Sequence, residues 1–240
     1  MRFGDAALMV GQPLGLLYGR MYKGVMRTQK EVDDYINSNI LAQYGFYPYL
    51  GIGDPHYVMD PAMNYFKDSI IGNAEPKFFG GFTNSINYKN FSLVALITFS
   101  YGGDIMYLAD VQNFDMTSRK NKGVRVLDHY SVNNPDSENP RLLYGESSYS
   151  YASSHSVFDA SYARLKSVTV SYQFPETMLS RLKVRNASLY ASAMNLFTIT
   201  NYPGADPEVN SDPYSIIGGY TDVGGYPTIR QFNIGFRLGF

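Results

Sequence analysis

The stretch that most constrains this chain is its end, residues 228–240, which read TIRQFNIGFRLGF. From Phe232 onward, Phe232, Ile234, Phe236, Leu238 and Phe240 alternate with Asn233, Gly235, Arg237 and Gly239. Successive side chains of a strand point to opposite faces, so this is a strand with one unbroken apolar stripe. A soluble sandwich and a membrane barrel can both use such a strand. An apolar stripe that ends on an aromatic carboxy-terminus suits a lipid-facing strand better.

The composition agrees with strands. Among 240 residues there are 22 Tyr and 22 Gly, with only 17% charged residues. Tyrosine fits a pleated, half-buried surface and also prefers interfaces where one end of the ring is wet. A net charge of −1 provides no basic footprint for nucleic acid. Without cysteine there is no disulfide framework, thiolate metal site or cysteine nucleophile. The first ten residues, MRFGDAALMV, lack the apolar core of a signal peptide, and no run reaches the length of a membrane helix.

Residues 8–23 predict a strand interrupted by glycine. Thr28, three residues before Glu31, forms a capping-box pattern that predicts a short helix over 29–41, with Val32, Tyr35, Ile36 and Ile40 at helical spacing. Residues 46–76, with Pro48, Pro55, Pro61 and Pro76, read as a long loop. The sharpest local signal follows. In GFTNSINYKNFSLVALITFSYGG, a two-residue turn at Lys89-Asn90 pairs Tyr88 with Phe91, Ile86 with Leu93, Asn84 with Ala95 and Phe82 with Ile97 on one face. Residues 102–159 show no periodicity. Alternation resumes over 162–174, Pro175 stops it, and 175–183 predict one helical turn with Pro at its first position. Another strand spans 184–197, a third long loop 198–227, and the terminal strand follows.

The connections thus alternate between long (24–76, 102–160, 198–227) and short (89–90, 175–183). Outer-membrane barrels have short periplasmic turns and long extracellular loops, which sends the last strand inward to a periplasmic carboxy-terminus. A Greek-key sandwich gives no reason for such alternation.

Several motifs in order now resemble one family: VGQPLGLLYG at 10–19, TQKEVDDY at 28–35, IGNAEPKFFGGFTNSINYKNFSL at 71–93, YARLKSVTVSYQFP at 162–175, NLFTITNYPGADPEV at 195–209 and GYPTIRQFNIGFRLGF to the end. Together they resemble the last part of the SusC/RagA-type TonB-linked outer-membrane transporters. The resemblance implies an all-β fold, an antiparallel segment of about six strands from a larger transmembrane barrel, with long extracellular loops and a short loop helix. It makes residues 1–240 one carboxy-terminal barrel portion, without the amino-terminal signal, the TonB-contacting segment and the plug. Six strands cannot close a barrel, so both edges would carry unpaired backbone groups. The implied setting is the Gram-negative outer membrane. The implied partners are the remaining barrel and plug, a SusD-like surface lipoprotein, the TonB complex acting through the missing part, outer-membrane lipid, and an oligosaccharide or peptide substrate. Phe240, a terminal aromatic, looks like the family's assembly signal. One departure is the segment YVMDPAMNYFKDS before IGN, where Asp60, Asn64 and Asp68 are too few and too widely spaced for the calcium loop of many relatives.

No catalytic set emerges. His56, His129 and His155 lie in separate irregular segments without ligand-spaced partners, and Gly145-Glu146-Ser147-Ser148-Tyr149 lacks the second glycine of a nucleophile elbow. The residues point to a non-enzyme needing no cofactor or metal. The loop aromatics Tyr144, Tyr149, Tyr151, Tyr202, Tyr214, Tyr220 and Tyr226 are the candidate ligand contacts, since an aromatic face packs on a sugar ring while its hydroxyl stays wet. Their bland alternative is loop packing. In NLFTITNYPGADPEV, Pro203, Gly204 and Pro207 read as fixing a turn, with Asn195 and Asp206 bonding nearby backbone. The competing reading of the whole chain is a soluble β-rich module that binds glycans through exposed tyrosines.

Overall fold

The structure is a computed structural model. It describes all residues except 1, 4–5, 8, 118, 145–152, 181–183, 210–220 and 240. The chain is rich in strands with a few short helices, and divides into two compact units. One comprises Met1–Glu75, Asp104–Phe158 and Val209–Gly225; the other comprises Pro76–Gly103, Asp159–Glu208 and Tyr226–Phe240. Among the described residues, no helix is long and apolar enough to cross a membrane.

The second unit is built on one antiparallel sheet. Its strands are β1 (Phe78–Tyr88), β2 (Phe91–Tyr101), β3 (Tyr162–Gln173), β4 (Asn186–Thr200) and β5 (Gln231–Gly239), in the spatial order β5-β4-β3-β2-β1. The hairpin register is the expected one: Tyr88 opposes Phe91, Ile86 opposes Leu93, Asn84 opposes Ala95 and Phe82 opposes Ile97. Alternation and turn length demanded the same register, because a one-residue slip would turn every apolar side chain to the other face. The strained turn position falls on Lys89, at φ 52°. Its neighbour Asn90 ties the turn to the next strand, its side-chain amide donating to the Gln173 carbonyl at 2.7 Å.

Several boundaries differ from the sequence reading. Strand β4 continues through Thr200, three residues past the expected end, because Phe197 and Ile199 keep pairing with Leu165 and Ala163. A register shift lets Lys166 drop out of the ladder between Leu165 and Ser167. Pro175 is the residue before the short helix Glu176–Leu179 rather than its first turn, with ψ of 146°. The long sheet has five strands among the described residues. The sixth segment anticipated, 8–23, contributes instead the strand Leu16–Arg20, which pairs with Asp68–Asn73, and the strand Tyr22–Val25, which pairs with Pro55–Tyr57.

The first unit is more ordered than its irregular sequence suggests. Helix α1 (Gln29–Ser38) has the full capping box: Glu31 donates its amide to the Thr28 hydroxyl, and its carboxylate accepts from the Thr28 amide. The expected helix over 29–41 is broken at Asn39, whose buried side chain accepts from the Leu41 and Ala42 amides and starts a separate turn, Ile40–Gln43. Val32 and Tyr35 pack with Met26 into a small core, joined by Ile36, Leu50 and Met59. Residues 46–76, read as a loop, contain the strands Pro55–Tyr57, Met59–Asp60, Tyr65–Phe66 and Asp68–Asn73. Residues 102–159, read as aperiodic, contain the strand Asp104–Tyr107, parallel to Thr221–Asp222, and a helix at Leu108–Asn113.

Two arginines hold these segments together. Arg141 grips the fully buried Asp54 in bidentate fashion, at 2.6 and 2.9 Å. Arg27 donates to the carbonyls of Pro135, Asp136 and Ser137 and to the Glu138 carboxylate. Planar, always-charged guanidinium suits such multidentate capture.

Candidate functional site

Residues directly opposite across a ladder share a face, so the registers define the two surfaces of the long sheet. On one surface the rows read Tyr88–Phe91–Tyr172–Leu189–Phe236, then Ile86–Leu93–Val170–Ala191–Ile234, then Asn84–Ala95–Val168–Ala193–Phe232. They continue with Phe82–Ile97–Leu165–Phe197 and Gly80–Phe99–Ala163–Ile199, and finish with Phe78–Tyr101. Apart from the hydroxyls of Tyr88, Tyr172 and Tyr101 near the two ends, Asn84 on the edge strand is the single polar side chain in these rows. The opposite surface carries Asn87–Ser92–Ser171–Tyr190–Gly235, Ser85–Val94–Thr169–Ser192–Asn233 and Thr83–Leu96–Ser167–Met194–Gln231. The apolar surface is open: Phe232 is 70% exposed and Ile234 82%.

Aromatic rings gather at both ends of that surface. At the short-turn end, Phe91 meets Tyr172 at 4.7 Å between centroids, Tyr172 meets Phe174 at 5.2 Å, and Phe174 meets Phe236 at 6.1 Å. At the other end Phe78 stacks on Tyr101 at 5.1 Å and meets Phe99 edge-on at 6.2 Å. Between them the rows are mostly aliphatic. The strands are 11, 11, 12, 15 and 9 residues long, against about 5–6 in an ordinary soluble sheet and about 9–11 needed to cross a bilayer at a tilt.

On the polar surface, near the long-connection end, lies a clasp that the sequence reading did not detect. Arg164 is almost wholly buried, its side chain 2% exposed. It donates to Thr198 Oγ1 at 2.9 Å, to Thr228 Oγ1 at 2.9 Å and to Asp206 Oδ1 at 2.5 Å, and pairs with Glu208 at 2.6 Å. Asp206 accepts in addition from the Glu208 and Thr228 amides and from the Thr228 hydroxyl. Desolvation acts to raise the Asp206 pKa, but the hydrogen bonds from Arg164, Thr228 and Glu208 outweigh it and hold the carboxyl below its ordinary range. Lys166, released by the bulge, reaches Glu208 at 3.1 Å. The clasp fastens residues 206–208 and the approach to β5 onto β3. Asn195 adds a bond to the Ile229 carbonyl at 3.0 Å. The expected backbone bonding by Asn195 and Asp206 is therefore present, with Arg164 as the addition.

The candidate ligand aromatics fare unequally. Tyr144 is exposed, with the Arg119 guanidinium 4.6 Å from its ring centroid, and Tyr226 is 89% exposed. Tyr202 is buried: its ring folds back over Gly204, where an added Cβ would collide with it. Its place is in loop packing. Tyr149, Tyr151, Tyr214, Tyr220 and Phe240 lie outside the described residues. The three histidines remain apart. His155 sits against Tyr22 and Phe114, 4.7 and 5.5 Å between ring centroids, and burial, helped by Arg125, pushes its pKa down to about 4. His56 packs edge-on against Tyr35, and burial lowers its pKa too. The Asp60 carboxylate caps its own turn, accepting from the Ala62 amide. Among the described residues, no three His, Cys, Asp or Glu side chains are grouped to hold a metal.

These elements recur in solved structures. The fold matches a structure of the RagAB peptide transporter with a TM-score of 0.69 at 20% identity, over 98% of this chain and 24% of that one. It matches the RagAB peptide importer in its open-open state with a TM-score of 0.68 at 21% identity, over all of this chain and 25% of the other. The fold is thus that of a β-rich portion of those structures. In sequence, the chain is 30% identical to TonB-dependent receptor P3 of Formosa agariphila over 97% of its own length, and 26% identical to receptor P26 of the same organism over 99%. Over 67% of its length it is 26% identical to TonB-dependent receptor SusC of Bacteroides thetaiotaomicron. The chain is a relative of the SusC/RagA-type TonB-dependent receptors. It spans 23% and 24% of the two Formosa receptors, and no family model matches it. The relatives are named as receptors and transporters, none as an enzyme.

Proposed function

We propose that this chain supplies wall and loops to a TonB-dependent outer-membrane transporter that imports oligosaccharides or peptides. The observation that carries the reading is the apolar surface of the long sheet, bounded by aromatic rings at both ends and spread over strands of membrane-crossing length. Lipid is the solvent that surface suits, and aromatic belts mark both interfaces of an outer-membrane barrel. The polar surface then lines the interior. The short turns at Lys89-Asn90 and after Gln173 take the periplasmic side, with the carboxy-terminus, and the long connections the outside.

Residues 1–240 act as one carboxy-terminal barrel portion. The two edges, β1 and β5, pair with strands of the remaining barrel, because unpaired backbone groups are not tolerated in hydrocarbon. The other partners are the plug, the TonB complex acting through it, and a SusD-like lipoprotein at the surface. Tyr144, Tyr149, Tyr151, Tyr214 and Tyr220 contact substrate, whereas the burial of Tyr202 removes it from that set.

Uptake tests the reading. In cells carrying the full-length transporter, labelled oligosaccharides or peptides should enter in a TonB-dependent manner, and deletion should abolish entry. Replacing Phe240 with Asp should lower outer-membrane assembly, leaving substrate affinity of the assembled fraction intact. Unchanged uptake of both substrate classes on deletion, or full assembly of the Phe240→Asp protein with lost binding, would contradict it.

A further inference from the structure

A groove of 350 Å³ opens at the long-connection end of the sheet, lined by Phe78, Phe99, Tyr101, Ala163, Ile199 and the chain around Ser161 and Asn201. A small residue opens it. Ala163 stands between Phe99 and Ile199 in one cross-strand row, so a methyl group lies where its neighbours carry a phenyl and a branched butyl group. Phe78 and Tyr101 rise from the next row, and Phe78, Tyr101 and Ile199 are all more than half exposed. The five side chains belong to the apolar surface, which makes the groove continuous with it.

Above the apolar part the rim is polar. The Ser161 hydroxyl accepts from the Gly102 amide at 2.9 Å, and the Thr200 hydroxyl donates to the Ser161 carbonyl at 2.8 Å. One exposed lysine, Lys77, lies beside it. The Lys77 amide donates to the Tyr101 carbonyl at 2.8 Å, and its side chain lies along Gly102, where a Cβ would come within 2.8 Å of Lys77 Cδ. With φ at +85°, Gly102 also occupies backbone space that glycine takes without strain. The aliphatic stem is thereby guided, and the ammonium sits 6.0 Å from the centroid of the Tyr101 ring. A lysine running along apolar surface to place its charge at the polar boundary is the usual snorkelling arrangement.

We infer that this groove binds a phosphate-bearing lipid of the outer leaflet, with one acyl chain in the notch over Ala163 and the phosphate against Lys77. The inference rests on the reading of this surface as lipid-facing. An apolar notch continuous with that surface, a hydroxyl rim and a positioned ammonium match, in that order, an acyl chain, its ester region and an anionic headgroup. A groove of this size lies within the ~300–1,000 Å³ of small-ligand sites.

The test uses the full-length transporter extracted from outer membranes, its retained lipid read by native mass spectrometry after exchange with bisphosphorylated lipid A or with the same lipid dephosphorylated. The unmodified protein should retain the phosphorylated lipid preferentially. Ala163→Phe should lower retention of both lipids about fivefold or more, since the chain loses its buried methylenes. Lys77→Gln, at an exposed position, should abolish the preference for phosphate and leave the dephosphorylated lipid unaffected. Retention unchanged by both substitutions, or absent from the unmodified protein, overturns the site. Should Ala163→Phe fail to assemble, the lysine variant alone decides. Fractionation of the same preparations separates the two readings. A protein found in the outer membrane but indifferent to lipid refutes only this site, and one absent from that membrane refutes the transporter reading itself.

Discussion

Replacing Arg164 with Ala would remove the centre of the clasp. Asp206, whose side chain is 6% exposed in the native protein, would keep its bonds from the Thr228 hydroxyl and from two amides but would lose its counter-charge. Removing one partner of a buried pair costs about 3–5 kcal/mol, because the other charge is left uncompensated. Glu208 adds less, since its side chain is 26% exposed and solvent screens it. The useful readout is local. Hydrogen exchange at the Glu208 and Thr228 amides, both bonded to Asp206, reports opening of the clasp. A loss of about 3–5 kcal/mol corresponds to exchange faster by roughly two to nearly four decades. The pH dependence follows from the depressed Asp206 pKa. A carboxylate lowered in the folded state adds stability that is fully present above its unfolded value of about 3.9 and is lost as pH falls through the folded value. The native clasp should therefore hold at pH 5, whereas the variant should recover part of its loss on acidification, as Asp206 escapes its penalty by taking up a proton. Exchange at both amides unchanged by Arg164→Ala would refute the clasp as the device that fixes this loop.

Other substitutions separate close approaches that matter from those that do not. Gly204→Ala should destabilise its loop by about 1–3 kcal/mol, seen as faster exchange over 201–208, because the colliding Tyr202 ring is itself buried. Gly235→Ala also meets a ring, that of Tyr190, but this ring is only half-buried and can swing aside, so assembly yield should change little. Thr28→Ala removes the α1 cap and should cost about 0.5–2 kcal/mol, read as lost protection confined to Gln29–Ser38. His155, with its pKa lowered from 6.5 to about 4, binds its proton more readily in the unfolded chain. The first unit should therefore lose up to about 3 kcal/mol through this group as pH falls from 6.5 to 4, a dependence that His155→Phe should reduce in melting or exchange measurements, leaving the part due to His56.

The long sheet was legible because its information is local. In β1 and β2 the period of two and the length of the turn each select one register, and the paired residues are the expected ones. Strand β4 ran longer than its pattern implied because the bulge at Lys166 and Asn195 breaks the alternation, and a broken period reads as an end. The first unit was opaque for a different reason. Leu16–Arg20 finds its partner about fifty residues away, is buried on both faces at several positions, and so lacks an alternating pattern. Arg164 was missed because an arginine on the polar side of an amphipathic strand looks solvated. Its partner Asp206 is 42 residues distant, and nothing local signals that both charges are buried. For Tyr202 the sequence leaves both ligand contact and loop packing open, because loop tyrosines are commonly exposed, and the following Pro203-Gly204 leaves room for this ring to turn inward.

The central claim is that the apolar surface of the long sheet faces lipid, and β5 tests it most directly. Nitroxide labels at Ile234 and Leu238 should be quenched by oxygen dissolved in the bilayer and shielded from a water-soluble nickel chelate. Labels at Asn233 and Arg237, on the opposite surface of the same strand, should show the reverse order. Shielding of Ile234 and Leu238 from both quenchers would place them in a protein core and contradict the account.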